Sequence, residues 1–477
     1  MSERLVVVSN RVAVPRSLRP APGGLAVGVL EALRQTGGIW VGWNGKVAKG
    51  TERPTVEVQQ QDDIEYLTLS MSQADYEDYY LGFANRVLWP LFHLRLNLVQ
   101  YRRRYLEAYR RFNESLALQV ERVLRPDDLL WVHDYHLIPV ARNLRKAGCR
   151  NRIGFFLHIP FPAFDVFRAI PHHTFILRLF LEYDLIGFQT ELDRDSFLDS
   201  LQRVFPECVV SPREVVHDGR HISIGVFPIG VDVDTAIEEA AKGRASTQGR
   251  RLQANLMDRR LIIGVDRLDY SKGLAERFQA YEQFLAHFPR HAEDIVYMQI
   301  AQPSRSDVPE YQVIRDEVDY LAGKINGRYA AHDRVPLRYL CRSFSRTTIL
   351  GFLSLARVGL VTPLRDGMNL VAKEFVAVQD PDDPGVLILS RLAGAAEELE
   401  GAVKVTPYNI DGVADAIALA VDMPLGERRE RWQQMMQGVR DNTIADWTRS
   451  FLAALRQTRA PAAQPVAAGG AADPVPG

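Results

Sequence analysis

Two short stretches of this chain concentrate polar groups that core packing does not need. The first is R-L-D-Y-S-K-G at Arg267–Gly273, and the second is R-D-G-M-N-L-V-A-K-E at Arg365–Glu374. Each follows a short apolar run, Leu261–Val265 or Val358–Val361, and leads into a helical pattern. Each therefore lies where the carboxyl end of a strand turns into a helix, the edge at which open α/β sheets bind ligands. Cations suit phosphate and carboxylates suit hydroxyls, so the two stretches predict a nucleotide-sugar site.

The first stretch offers two cations that flank a turn. Between Arg267 and Lys272 the chain can turn at Gly273 with a positive φ, and Ser271 can cap the helix that follows. Two solvated cations around a helix cap would be the ordinary interpretation of such a pair. The position at a ligand-binding edge favours a diphosphate instead, with the Arg267 guanidinium forked onto its oxygens and Lys272 acting as a point charge.

The second stretch supplies a turn, a helix start and two carboxylates. Asp366 and Gly367 form the turn, and Asn369–Gln379 has the pattern of a helix whose first N–H groups are unpaired and electropositive. Glu374 alone would be an ordinary surface residue. Together with Asp366 it makes two acceptors about 12 Å apart along a helix axis, which suits sugar hydroxyls on one side of a phosphate and ribose hydroxyls on the other.

The N-terminal half has its own anion-binding candidates. Arg11 ends the first strand pattern, and Gly23 and Gly24 open a helical pattern. The backbone N–H groups of the two glycines and the Arg11 guanidinium are predicted to face one anion. A further cation, Arg305, follows the apolar run Ile295–Ile300 and is expected to reach across to a phosphate on a second substrate.

Histidines and acidic residues also end two strands of this half, at His133–His136 and His158–Pro162. The pattern H-D-x-H suggests a metal site, but neighbouring residues at a strand end point to opposite faces of the sheet. Asp134 is therefore expected to accept hydrogen bonds from substrate hydroxyls. The D-x-D at Asp232 and Asp234 is interpreted as a linker in which Asp234 caps the next helix, so neither a metal nor another cofactor is predicted.

Three aromatic residues, Tyr79, Tyr80 and Trp89, have a spacing that fits the core face of one helix. Aromatic walls are also favoured by sugar sites, so Tyr80 and Trp89 remain candidates for a substrate pocket.

These candidates require two α/β domains. Five apolar runs alternate with helical patterns up to about residue 228, and the same rhythm restarts at Leu261, which predicts two doubly wound parallel sheets facing across a cleft. The expected boundaries are an N-terminal acceptor domain at 1–230, a C-terminal nucleotide-sugar domain at 231–441, a terminal helix at 442–459 that packs back on the N-terminal domain, and a disordered tail at 460–477 rich in Ala, Pro and Gly.

Composition limits the partners and the compartment. Lys plus Arg (58) nearly cancels Asp plus Glu (59) in 477 residues, which argues against nucleic acid or an anionic membrane as a partner. The three cysteines are widely spaced, and there is neither a leader pattern nor a long apolar stretch. A cytoplasmic protein is expected. A homo-oligomer is compatible with the sequence, which leaves the oligomeric state open.

The motifs H-D-Y-H-L, F-F-L-H-I-P-F-P, R-L-D-Y-S-K-G-L and T-P-L-R-D-G-M-N-L-V-A-K-E resemble those of the trehalose-6-phosphate synthases, and the similarity runs from about Arg4 to Leu455. That family, glycosyltransferase family 20, has the two-Rossmann-domain architecture called GT-B. The resemblance implies a retaining transfer of glucose from UDP-glucose to glucose 6-phosphate, giving α,α-trehalose 6-phosphate and UDP.

The resemblance also implies a role for individual residues. Arg267, Lys272, Asp366 and His158 would form the catalytic group, with His158 contacting the transferred sugar. The acceptor glucose 6-phosphate would be bound by Arg11, Tyr80, Asp134 and Arg305, in a pocket shaped by Trp89 and Ile159. The donor would be bound by Gly23, Gly24, Arg267, Lys272, Phe344, Asp366, Leu370, Val371, Ala372, Lys373 and Glu374.

Two rival functions remain open at this point. A pseudoglycosyltransferase could couple a cyclitol nucleotide to an amino-cyclitol phosphate on the same scaffold. A catalytically silent sugar-phosphate sensor or regulatory subunit is the other rival, although it predicts the loss of phosphate- and acceptor-binding residues, which are all present here. The sequence does not reveal the nucleobase preference.

Overall fold

The computed structural model describes residues 3–12, 24–48, 54–304 and 309–459. These residues form two sheets covered by helices, which confirms the α/β class and the GT-B-like pair of doubly wound sheets. Within this part of the chain no helix combines the length and apolarity that crossing a membrane requires.

The first sheet is built from the N-terminal half. Its parallel centre runs in the order fourth, second, first, fifth, sixth, seventh and tenth strand, and the third, ninth and eighth strands add antiparallel edges. The strands are β1 (Leu5–Arg11), β2 (Gly38–Val47), β3 (Val56–Gln61), β4 (Ile64–Met71), β5 (Leu129–His133), β6 (Ile153–Phe156), β7 (Leu185–Phe188), β8 (Val209–Val210), β9 (Glu214–His217) and β10 (Arg220–Val226).

The second sheet is parallel throughout and has the order β13-β12-β11-β14-β15-β16. Its strands are β11 (Arg260–Arg267), β12 (Ile295–Gln302), β13 (Leu337–Leu340), β14 (Val358–Val361), β15 (Val386–Ser390) and β16 (Val403–Val405).

Helices cover both faces of each sheet. The α-helices are α1 (Gly24–Thr36), α2 (Gln73–Asp75), α3 (Trp89–Phe92), α4 (Arg103–Val123), α5 (Val140–Lys146), α6 (Phe164–Phe167), α7 (His173–Phe180), α8 (Glu191–Val204), α9 (Val233–Ala245), α10 (Thr247–Leu256), α11 (Leu274–His287), α12 (Pro309–Tyr329), α13 (Arg346–Leu353), α14 (Leu370–Ala377), α15 (Ile410–Asp422), α16 (Leu425–Asp441) and α17 (Ile444–Gln457). A π-helix spans Tyr76–Leu88, and 3-10 turns lie at Leu96–Leu98, Tyr135–Leu137, Tyr270–Lys272, Pro289–His291 and Gly394–Glu397.

The strand sequences explain why both faces of the sheets are covered. In β1, Val6 and Val8 enter one hydrophobic cluster while Leu5 and Val7 enter another, and all four are buried. A continuous apolar run of this kind is stable only between two layers of helices. The strand order then reverses direction between β1 and β5 in the first sheet and between β11 and β14 in the second. Such switch points open a crevice at the carboxyl ends of the strands.

The predicted strands are all present, but the sequence reasoning missed several others. The hairpin-like pair β3 and β4 and the neighbouring β2 were not predicted, and neither were β8, β9 and β16. In β2 the sequence G-I-W-V-G-W-N-G-K-V interrupts the apolar run with Gly and Asn, which weaken a strand signal.

Two predicted helix caps are wrong. Asp232, rather than Asp234, caps α9 by accepting a hydrogen bond from the Thr235 backbone N–H at 3.0 Å. Ser271 lies within the 3-10 turn and Gly273 occupies the N-cap of α11, so Ser271 caps no helix. The helix predicted at Asn369–Gln379 is shorter, at Leu370–Ala377, with Asn369 as its N-cap.

The terminal helix α17 packs on the first sheet. Thr443 and Asp446 form a capping box that starts it. Its Trp447 and Phe451 rings lie 4.8 Å and 4.7 Å from the Trp131 ring of β5, measured between centroids. The proposed domain boundaries and the assignment of this helix to the N-terminal domain stay predictions, and the tail at 460–477 lies outside the described residues.

Candidate active site

The two switch points carry several of the predicted site residues. The ends of β11 and β14 carry the Arg267–Gly273 and Arg365–Glu374 stretches, and the ends of β1 and β5 carry Arg11 and Asp134. We call each sheet with the helices that cover it a lobe. The two lobes touch near these strand ends, where the Arg365 guanidinium contacts the Asp193 carboxylate of α8 at 3.1 Å.

At the centre lies an ion pair between Lys272 and Asp366. The Lys272 Nζ and Asp366 Oδ2 atoms are 2.5 Å apart, and both side chains are largely buried. The same carboxylate oxygen accepts a hydrogen bond from the Asn369 side-chain amide at 3.0 Å. Asn369 is the N-cap of α14, so the cation, the carboxylate and the start of that helix form one cluster.

The turn that presents Lys272 is fixed by two local devices. Asp269, which is fully buried, accepts a hydrogen bond from the Ser271 backbone N–H at 2.9 Å and so caps the 3-10 turn. Gly273 has a φ of +64°, and a Cβ at this position would lie 2.6 Å from the Thr362 carbonyl oxygen. Only glycine therefore fits between the turn and β14.

Asp366 is ionised at neutral pH. Burial by itself would raise its pKa, but the charges of Lys272 and Arg267 and the hydrogen bond from Lys272 outweigh that effect and lower it.

Arg267 lies between the lobes. Its guanidinium carbon is 5.1 Å from the centroid of the Trp89 ring, which belongs to the first lobe, and the Trp89 indole N–H faces Asp269 Oδ1 at 3.4 Å. The guanidinium makes no hydrogen bond or ion pair with the residues that the structure describes. It is thus held by a cation–π contact with its N–H groups available to an anion.

The first lobe contributes Asp134 and His158. Asp134 adopts a φ of +76°, and its carboxylate accepts a hydrogen bond from the His158 backbone N–H at 3.2 Å. The His158 Nε2 atom lies 3.0 Å from Nδ1 of His133, and burial lowers the pKa of His158 to about 3. A Cβ on Gly367 would lie 2.1 Å from the His158 carbonyl oxygen, so the loop after β14 approaches His158 directly.

Two of the residues predicted to bind the acceptor, Arg11 and Tyr80, share an aromatic cluster. The Arg11 guanidinium lies 5.2 Å from the Trp43 ring, and the Tyr80 ring is 5.2 Å from the same indole. On its other side Tyr80 stacks on His136 at 6.1 Å. Sequence reasoning did not identify Trp43, because it lies on the strand β2 that was missed.

The structure also assigns partners to the other donor candidates. Glu374 contacts Arg346 at 3.1 Å; burial raises the pKa of this carboxyl group, and Arg346 offsets only part of that rise. The Lys373 side chain is buried, donates to the Ile229 carbonyl at 2.7 Å and pairs with Glu398. Lys373 can therefore reach a donor only through its backbone.

The remaining candidates are more dispersed. Leu370 and Val371 are half-buried and Ala372 is buried at the start of α14. Ile159 is buried next to Gly367, while Phe344 packs against Phe352 with a centroid distance of 5.8 Å. Gly24 begins α1, and Gly23 and Arg305 lie outside the described residues.

A metal centre was not predicted from the sequence. Among the described residues no group of three or more His, Cys, Asp and Glu side chains is arranged to hold a metal ion.

Two doubly wound lobes whose switch points face each other, with two cations, a helix start and two carboxylates between them, define the class of GT-B nucleotide-sugar glycosyltransferases. The sequence profile of glycosyltransferase family 20 matches residues 3–457. The chain belongs to this family.

The relatives agree with this assignment along nearly the whole chain. The trehalose-6-phosphate synthase of Sodalis glossinidius is 48% identical over 454 residues, which are 95% of this chain and 96% of that protein. An α,α-trehalose-phosphate synthase (UDP-forming) from Burkholderia xenovorans, solved in complex with glucose 6-phosphate, matches with a TM-score of 0.91 at 46% identity, covering 95% of this chain and 100% of that one. A trehalose-6-phosphate structure from E. coli bound with UDP-2-fluoro glucose matches with a TM-score of 0.91 at 45% identity, covering 96% and 100%.

Proposed function

We propose that this chain transfers glucose from UDP-glucose to glucose 6-phosphate, with retention at the anomeric carbon, and releases α,α-trehalose 6-phosphate and UDP. One observation carries the proposal: structures that hold the acceptor and a donor analogue superimpose on 95% and 96% of this chain with TM-scores of 0.91. The cluster around Asp366 supplies the charges that this reaction needs.

The departing diphosphate is the first charge that the enzyme has to stabilise. Arg267, Lys272 and the first backbone N–H groups of α14 are assigned to this anion, because Lys272 and the helix start meet at Asp366 and Arg267 ends the strand β11 that leads into the turn of Lys272. In a site closed to water, one preorganised donor of this kind contributes about 3 to 4 kcal/mol to transition-state stabilisation. Asp366 orients Lys272, and Glu374 is assigned to the ribose hydroxyls.

The acceptor, glucose 6-phosphate, is assigned mainly to residues of the first lobe. Arg11 and Arg305 are assigned to the phosphate of glucose 6-phosphate, and Tyr80 and Asp134 to its binding pocket. Trp89 and Ile159 would shape that pocket from the lobe interface, where both are buried. His158 would contact the transferred glucose from its position beside Gly367.

Retention is proposed to occur without a carboxylate nucleophile. The Asp366 carboxylate is held by Lys272 and Asn369, and the Asp134 carboxylate by the His158 backbone N–H. Since the transition state resembles an oxocarbenium ion, we assign the acceptor proton to the leaving phosphate oxygen on the same face of the sugar. Contact between the lobes would keep water away from the donor.

The assay of UDP release tests this function. UDP-glucose is supplied with and without glucose 6-phosphate, then replaced by ADP- or GDP-glucose, and the reaction is repeated with EDTA. We expect UDP release that depends on glucose 6-phosphate and persists with EDTA, since no essential metal is proposed. Turnover of a cyclitol nucleotide in place of UDP-glucose would support the pseudoglycosyltransferase, and binding of glucose 6-phosphate without turnover would support a sensor.

A further inference from the structure

His133 is a buried histidine that the proposed chemistry does not use. It ends β5 and is fully buried, with its ring 4.5 Å from Trp131 and 6.2 Å from Trp447 of α17, measured between centroids. Its Nδ1 atom lies 3.0 Å from Nε2 of His158. The His158 imidazole, which is proposed to contact the transferred glucose, is therefore hydrogen-bonded through Nε2 to the His133 imidazole.

Both rings of this pair are neutral at physiological pH. Burial lowers the pKa of His158 to about 3, and burial followed by the proximity of His158 lowers the pKa of His133 well below its usual value. A hydrogen bond between two neutral imidazoles contains one proton. Either His133 Nδ1–H donates to His158, or His158 Nε2–H donates to His133, and the two cases leave different atoms of His158 to face the substrate.

The surroundings of His133 distinguish the two cases. Its other nitrogen, Nε2, is buried and has no hydrogen-bond acceptor among the described residues. The indole rings of Trp131 and Trp447 that pack around it carry N–H donors and no acceptor. A buried N–H group without an acceptor is rare and costly, so the proton of His133 belongs on Nδ1, where His158 accepts it.

We propose that His133 is a positioning residue that fixes the tautomer of His158. Because His158 Nε2 accepts the hydrogen bond from His133, the proton of His158 resides on Nδ1. That atom makes no hydrogen bond with the described residues and is not enclosed by them. His158 then offers an N–H donor to a hydroxyl of the transferred glucose and cannot act as a base toward it. The sugar contact rests on the proposed function, whereas the tautomer does not.

A matched pair of variants separates the hydrogen bond from the ring packing. His133→Asn retains an N–H donor near the Nδ1 position, and His133→Phe retains the aromatic ring without a donor. The tautomer of His158 is read from long-range ¹H–¹⁵N spectra of the full chain with labelled histidine, and a His158→Gln variant assigns its signals among the 11 histidines.

We expect the Nδ1–H form of His158 in the wild type and in His133→Asn, and a loss or mixture of that form in His133→Phe. In His133→Phe, kcat should fall about ten-fold or more with little change in the KM for glucose 6-phosphate, and His133→Asn should retain most of the activity. An Nε2–H form in the wild type, or an unchanged His158 spectrum and kcat in His133→Phe, would overturn the proposal. Absence of UDP release by the wild type would refute the proposed function instead, whatever the spectra show.

Discussion

At the scale of single residues, Lys272 is the cation whose role the structure defines most sharply. It is largely buried and paired with Asp366 at the start of α14. We expect Lys272→Ala to reduce kcat by about 100- to 1,000-fold, because it removes a preorganised donor from the leaving diphosphate. Initial rates of UDP release measure this effect.

The matched control is Lys242→Ala. Lys242 also contacts a carboxylate, that of Glu238 at 2.7 Å, but on the exposed surface of α9. This variant should retain wild-type activity. If Lys272→Ala retained more than about a tenth of the wild-type kcat, Lys272 would not be a transition-state contact.

His93 is a buried histidine that should make the stability of the fold depend on pH. It lies under Trp89 and is buried, and burial, the largest influence, lowers its pKa to about 4. Between pH 6.5, the pKa of His93 in the unfolded chain, and about pH 4, its pKa in the folded chain, only the unfolded chain binds the proton. Stability therefore falls as the pH falls through this window. In urea unfolding, the free energy of unfolding of His93→Gln should decrease less steeply with falling pH than that of the wild type, by at most about 1.4 kcal/mol per pH unit.

His287→Gln, which changes an exposed histidine at the end of α11, provides the control. Its stability profile should follow that of the wild type. Identical profiles for His93→Gln and the wild type between pH 6.5 and 4 would contradict the burial of a neutral His93.

At the scale of secondary-structure elements, the terminal helix α17 connects the end of the chain to the site. Trp447 is buried against Trp131, His133 and Phe156. We expect Trp447→Ala to lower the free energy of unfolding by about 3 to 5 kcal/mol, since it opens a cavity in this ring cluster. Arg449→Ala, on the exposed side of the same helix, should change it by about 0.5 kcal/mol or less. Equal urea midpoints for the two variants would show that α17 does not support the lobe.

The elements also show what the sequence could predict. Arg267, Lys272 and Asp366 were predicted as site residues because apolar runs mark strands, and the ends of parallel strands meet at one edge of a sheet. The ring contacts between Trp43 and Tyr80 could not be predicted in this way. They join β2 to a π-helix across the lobe, and a contact between distant elements leaves no local pattern.

The directions of individual side chains could not be predicted from the sequence either. Lys373 lies in a stretch predicted to bind the donor, yet its ammonium group is directed to the Ile229 carbonyl at the junction of the two halves of the chain. Glu374, one residue later, contacts Arg346 instead. Successive residues of a helix point in different directions, and only the packing of α14 determines which partner each one meets.

At the scale of the whole molecule, Gly367 forms one of the contacts between the two lobes. The Gly367 backbone lies against the His158 carbonyl, so a methyl group there would force the lobes apart or displace the loop. We expect Gly367→Ala to reduce kcat/KM by about ten-fold or more, because small displacements of reacting groups cost that much. Its unfolding midpoint should fall as well, because one hydrophobic cluster contains buried residues of both lobes.

Gly426→Ala is the matched substitution. Gly426 lies in α16, and a Cβ there would meet no atom within 4 Å. This variant should retain activity and gain slightly in stability, because alanine favours a helix. Full activity in Gly367→Ala would show that the contact between the lobes has no part in the reaction.

The central claim is that Arg267, Lys272 and the start of α14 bind one diphosphate. Calorimetric titration of UDP and of uridine into the wild type, Arg267→Ala, Lys272→Ala and the double variant tests this claim most directly. We expect each single variant to bind UDP about ten-fold or more weakly, with losses that are not additive because the two cations share one ligand. Uridine, which has no diphosphate, should bind all four proteins equally. Wild-type affinity for UDP in the double variant would contradict the account.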